Sequence, residues 1–170
     1  LTLFEAVTEG AGLVILGAGE PKYQDTVAAL RDKYPSRISV WLGFDEPLAH
    51  RIMAGSDILL VPSLYEPCGL TQLHAMKYGT VPIVRATGGL EDTVDAVDSE
   101  SGSGTGFKFY GYESVDFISE IQRAVQLYEN RRMWDKIMAN DMAADFSWER
   151  SARRYLALYE DLSTRKRRGV

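Results

Sequence analysis

Residues 57–94 read DILLVPSLYEPCGLTQLHAMKYGTVPIVRATGGLEDTV, and this stretch decides the fold. Ile58 to Val61 and Val81 to Val84 are continuous apolar runs without alternation. Strands buried on both faces have that pattern, and they occur in parallel sheets covered by helices. Between the runs, Leu70, Leu73, Met76 and Lys77 space out a helix up to Gly79, a C-terminal stop. Strand, helix and strand in that order make a right-handed parallel crossover.

The same alternation extends in both directions. Leu13 to Leu16, Ile38 to Leu42 and a weaker run at Phe107 to Phe109 read as further strands. Tyr23, Val27, Leu30 and Tyr34 mark a helix that Pro35 ends, and Leu48, Ile52 and Met53 mark another. The fold class is α/β, with a doubly wound parallel sheet. In the last third, Ile118, Ile121, Val125 and Tyr128 form one helical stripe and Met133, Trp134, Ile137 and Met138 another. A helix after Ser147 carries Tyr155, Leu158, Tyr159 and Leu162. These helices are expected to close over the sheet, their aromatic and methionine stripes forming core. Residues 1–170 then form a single domain, of which 111–164 is the C-terminal helical part. SESGSGTG (99–106) reads as a flexible loop. Residues 1–9 resemble the inside of a helix stopped by Gly10, whereas a doubly wound domain opens on a strand. The expectation is a piece of a longer protein that lacks its first strand, the one before Leu1.

Composition sets the outer limits. The chain has 170 residues, 45% hydrophobic and 25% charged, which is ordinary for a globular domain. No apolar run is long enough to span a bilayer. One cysteine and two histidines provide neither an internal disulfide nor an ordinary zinc site. The net charge is −5, and four of the basic residues, Arg165, Lys166, Arg167 and Arg168, sit together near the end. The remainder is more acidic still, which argues against a nucleic-acid partner. The basic tail itself reads as a solvated end.

Ligands of open α/β sheets bind beyond the carboxyl ends of the strands. The loops to inspect are therefore Gly17–Gly19, Gly43–Asp45, Ser63–Gly69 and Arg85–Gly89. GAGEP falls short of a dinucleotide fingerprint and reads as a tight strand-to-helix turn. The third loop enters a helix near Gly69, where unpaired N–H groups suit a diphosphate. Glu66 precedes that position. Its carboxylate either contacts a sugar and its anomeric centre or merely caps the helix. Cys68 is open to a second reading as a small buried filler. In the fourth loop Gly88 and Gly89 expose backbone N–H groups at the head of another helix. Asp92, Asp95 and Asp98 share a face of that helix, read as solvated rather than metal-binding.

The stretch PSLYEPCGLTQLHAMKYGTVPIVRATGGLEDTV resembles bacterial glycogen synthases and plant starch synthases, which are retaining GT-B glucosyltransferases. The likeness continues into FDEPLAHRIMAGSDILLVPS upstream and DFSWERSARRYLALYEDL downstream. It implies the C-terminal Rossmann-like half of a GT-B fold and the donor ADP-glucose, with no further cofactor and no metal. The glucose would be transferred, with retention, to the nonreducing end of an α-1,4-glucan bound by an N-terminal domain outside this chain. It implies no nucleic-acid or membrane partner, and a cytoplasmic setting if bacterial or a plastid stroma if plant. Residue by residue, Glu66 matches the family's essential glutamate. Cys68, Gly69 and Leu70 match the turn against the donor glucose, and Thr71 the position beside the diphosphate. Phe44 matches an aromatic that stacks on adenine, and Thr87, Gly88 and Gly89 match the signature TGGL. His74 stands where the wider group has a ribose-binding glutamate. The alternatives are another GT-B enzyme, such as a different glycosyltransferase or a sugar-nucleotide epimerase, and a noncatalytic nucleotide-binding module.

Overall fold

The strand at the centre of the core is Val81–Arg85, whose Val81, Ile83 and Val84 are wholly buried. In the computed structural model, which describes residues 11–168, it is the fourth of five strands. In chain order they are β1 (Leu13–Gly17), β2 (Ile38–Leu42), β3 (Ile58–Val61), β4 (Val81–Arg85) and β5 (Phe107–Phe109). Helices α1 (Pro21–Lys33), α2 (Glu46–Gly55), α3 (Thr71–Tyr78) and α4 (Gly89–Thr93) follow β1, β2, β3 and β4 respectively. Helices α5 (Ser114–Tyr128), α6 (Arg131–Ala143) and α7 (Trp148–Arg168) complete the chain. The helix expected over residues 1–9 lies outside the described residues.

Every strand pairing is parallel. The strands fall into two groups, β1 with β2 and β3-β4-β5, with Leu13 opposite Ile38 and Ile58 opposite Val81. Both faces of β4 are covered, as continuous apolar strands require. Val81 and Ile83 pack with Ile121 and Ala124 of α5 and Trp134 and Ile137 of α6. Val84 packs with Met76 of α3 and with Leu90 and Val94 around α4. The Thr80 hydroxyl, buried at the entrance to β4, donates to the carbonyls of Met53 and Ser56 and so fastens the end of α2.

The layer formed by β1, α1 and β2 is different. Ile38 is its one buried hydrophobic residue, and the apolar side of α1 buries nothing fully. GAGEP is the expected tight turn: β1 ends at Gly17, and α1 starts at Pro21 after its N-cap Glu20.

Three local expectations are corrected. Helices α5 and α6 close over the sheet, but α7 does not contribute its stripe to the core. Tyr155, Leu158, Tyr159 and Leu162 remain at least half exposed, because no described element packs against that side. Asp92, Asp95 and Asp98 do not share a helical face, since α4 ends at Thr93 and Val94 is extended. The segment SESGSGTG is tied down rather than loose. Asp98 accepts from the Glu100 and Ser101 N–H groups, while Asn140 and Lys136 of α6 reach the carbonyls of Gly102, Gly104 and Ser101. Composition could not reveal those distant donors.

Candidate active site

The loop from Pro62 to Leu70 carries the chain from β3 into α3. No side chain caps α3 at Leu70, so the N–H groups of its first turn have no intrahelical acceptor and form the positive end of the helix. Such an end receives anions. Gly69, at φ 73°, makes the turn into it, and a Cβ there would stand 2.4 Å from the Gln72 side chain. A glycine is therefore required both for backbone conformation and for space.

Glu66 is partly exposed beside this turn. Its Oε1 accepts from the Gly69 N–H at 3.1 Å, so the carboxylate shapes the turn that precedes α3 without capping α3 itself. Cys68 is exposed, which removes the buried-filler reading of that thiol. Leu70 and Thr71 are exposed in the same surface.

The two glycine turns meet through backbone contact. Gly88 has φ 50°, and a Cβ there would fall 2.1 Å from the Glu66 carbonyl oxygen. A Cβ on Gly89 would fall 2.0 Å from that of Cys68. The Gly89 N–H donates to the Glu66 carbonyl at 2.9 Å. That N–H, which the sequence reading offers to a ligand, is engaged inside the protein. Gly88 and Gly89 thus let the Thr87–Gly89 turn lie directly under the loop carrying Glu66. Thr87 is half-buried and Gly88 exposed at the edge of the contact.

Phe44 stands apart, at the end of β2. It is 93% exposed, with both ring faces available to a planar ligand. The next residue, Asp45, caps α2 by accepting from the Leu48 N–H at 2.8 Å, which fixes the backbone just after the ring. His74 does not stand free: its ring stacks on His50 of α2 with centroids 5.5 Å apart, and His50 Nδ1 lies 3.1 Å from the Tyr78 hydroxyl. This cluster links α2 to α3, and with them the Phe44 end of the site to the Glu66 end. Among the described residues no group of three or more His, Cys, Asp or Glu side chains could hold a metal ion.

Sequence reasoning missed Gln72, Thr93 and Arg85, whose side chains hold these loops. Gln72 carried a signal: it shares the i, i+3, i+4 face with Ala75 and Met76 and is a polar residue on the buried side of α3. Arg85, at the end of a buried strand, carried a weaker one.

Comparison with known proteins places the chain in context. Residues 2–141 match the family described as Glycosyl transferases group 1. The chain is 47% identical over 152 residues to a glycogen synthase of Koribacter versatilis, covering 89% of this chain and 31% of that protein. It is 44% identical over 158 residues to a glycogen synthase of Bacillus cereus, covering 93% and 33%. It therefore spans about a third of the length of the curated relatives it matches. Among solved structures, the catalytic domain of starch synthase IV from Arabidopsis thaliana, bound to ADP and acarbose, is similar with a TM-score of 0.75 and 27% identity, over 94% of this chain and 41% of that one.

Proposed function

The chain belongs to the group 1 glycosyl transferases, and from that premise we propose that it is the donor-binding half of an enzyme that extends an α-1,4-glucan from ADP-glucose. The observation that carries this reading is the surface built from Glu66, the Cys68–Gly69 turn and the uncapped start of α3. It combines a carboxylate and a helix N-terminus at one strand end. The similarity to glycogen synthases and to a starch synthase bound to ADP supports the same donor.

In this reading the diphosphate lies at the first turn of α3, whose N–H groups stabilise the charge of ADP as it leaves. Glu66 keeps Oε1 on Gly69 and faces the glucosyl centre, where positive charge develops. Phe44 stacks on the base, and the chain around Cys68, Gly69, Leu70 and Thr71 holds the glucose. Front-side displacement with retention is the mechanism we favour. The part of the protein outside this chain would bind the acceptor glucan and supply the cations that complete the diphosphate site. A doubly wound sheet of order 3-2-1-4-5-6 has its first strand at the centre, and the groups β1-β2 and β3-β4-β5 match its two flanks. The setting would be bacterial cytoplasm or plastid stroma.

The test is glucan extension by the full-length enzyme with ADP-glucose and a glycogen primer, run beside other nucleotide sugars. Transfer from ADP-glucose is expected from the full-length enzyme and none from residues 1–170 alone. Failure of the full-length enzyme to use ADP-glucose would refute the donor assignment, and steady transfer by residues 1–170 the division of labour. A trapped covalent glucosyl-enzyme would refute front-side displacement.

A further inference from the structure

Gln72 has no exposed surface, yet its amide is the most connected polar group near the site. Its Nε2 donates to the Gly69 carbonyl at 2.9 Å and to Thr93 Oγ1 at 3.0 Å, and approaches the Cys68 carbonyl at 3.3 Å. The Thr93 hydroxyl donates in turn to the Gly89 carbonyl at 2.6 Å. Gly89 is bonded through its N–H to the Glu66 carbonyl, and the Glu66 carboxylate accepts from Gly69. The links close into a ring that runs through Glu66, Gly69, Gln72, Thr93 and Gly89 and joins both glycine turns.

The arrangement is costly as packing alone. Gln72 Oε1 is buried without a partner, so only the donor half of the amide is satisfied. What the amide provides is direction: it draws the Cys68 and Gly69 carbonyls inward, and the Gly69 N–H then meets the Glu66 carboxylate.

We infer that Gln72 is a positioning residue, which through Thr93 and the two glycine turns sets the Glu66 carboxylate in its working orientation. The inference rests on the reading of Glu66 as the group facing the glucosyl centre. Gln72 itself touches no substrate in this scheme.

The experiment uses the full-length enzyme with ADP-glucose and glycogen. Gln72→Met keeps length and apolar contact but removes both donors. Its kcat per folded molecule should fall at least ~10-fold while KM for ADP-glucose changes less than ~3-fold, since a misplaced group harms the transition state more than binding. Thr93→Val breaks the next link and should lower kcat in the same sense, and the double variant should be no slower than the slower single one. A lower melting temperature with normal kcat in Gln72→Met would overturn the inference. Fully additive losses, or a raised KM at unchanged kcat, would do the same. Thr93→Val leaves α3 whole, so if Gln72→Met does not fold, unchanged kcat in Thr93→Val is decisive against it. An unsubstituted enzyme that fails to use ADP-glucose would overturn the functional reading and this one with it, an outcome distinct from an active enzyme indifferent to Gln72.

Discussion

Arg85 Nη1 donates to the Leu64 carbonyl at 2.5 Å, and its guanidinium lies 5.2 Å from the centre of the Tyr112 ring. The last residue of β4 thus grips the loop leaving β3 and is itself held by a residue beyond β5. Arg85→Met should free the Leu64 carbonyl and lose the cation–π contact, at a cost of about 1–2 kcal/mol in stability. Amide exchange across residues 62–69 should quicken, the Gly69 N–H included. Unchanged exchange there would show that the loop is held without Arg85.

For Glu66 the two readings make opposite forecasts. Glu66→Gln retains an oxygen able to accept from Gly69 and removes the charge. If the carboxylate stabilises the glucosyl centre, turnover in the full-length enzyme should fall at least ~100-fold, about 2.7 kcal/mol, with donor affinity and melting temperature little changed. Near-normal turnover would leave Glu66 as a turn-shaping residue only.

Phe44→Ala in the same enzyme should weaken ADP-glucose binding by about 1–3 kcal/mol, the usual contribution of an aromatic stacked on a base. Phe44→Tyr should bind normally. Because Phe44 is 93% exposed, the alanine variant should unfold at the original temperature, so calorimetry and titration together isolate the binding effect.

Asp141 of α6 is wholly buried, and neither carboxylate oxygen has a partner. Burial raises its pKa from 3.8 to about 8. Between those values the folded chain holds a proton that the unfolded chain has released, so the contribution of Asp141 to stability is greatest below about pH 4 and declines as pH rises towards 8. The slope approaches about 1.4 kcal/mol per pH unit for this one group. Asp141→Asn abolishes that contribution. The variant and the parent should melt alike near pH 4, and the variant should be the more stable at pH 8. Parallel melting curves at the two pH values would place the carboxylate in water.

Much of this was legible before any coordinates. The runs at Ile38–Leu42, Ile58–Val61 and Phe107–Phe109 are the observed strands to the residue, although Ser39 and Lys108 interrupt two of them and β2 is mostly exposed. The placement of Glu66, Cys68 and Gly69 between β3 and α3 was legible from chain order around a strand end. What escaped depends on partners distant in sequence. Nothing near Gly89 announces that its N–H belongs to Glu66, and nothing in SESGSGTG announces Asn140. The stripe of α7 misled for a related reason: periodicity shows that a helix has an apolar side, not that this chain covers it.

Among the described residues, the β1–α1–β2 layer is much less buried than the sheet around β4. Regions with few buried contacts open more easily than the core, so this layer should exchange its amides well before β4 and α6 do. Phe44 lies just beyond β2 of the loosely held layer, while Glu66 follows β3 and is braced by the hydrogen-bonded ring. The two ends of the site therefore differ in compliance.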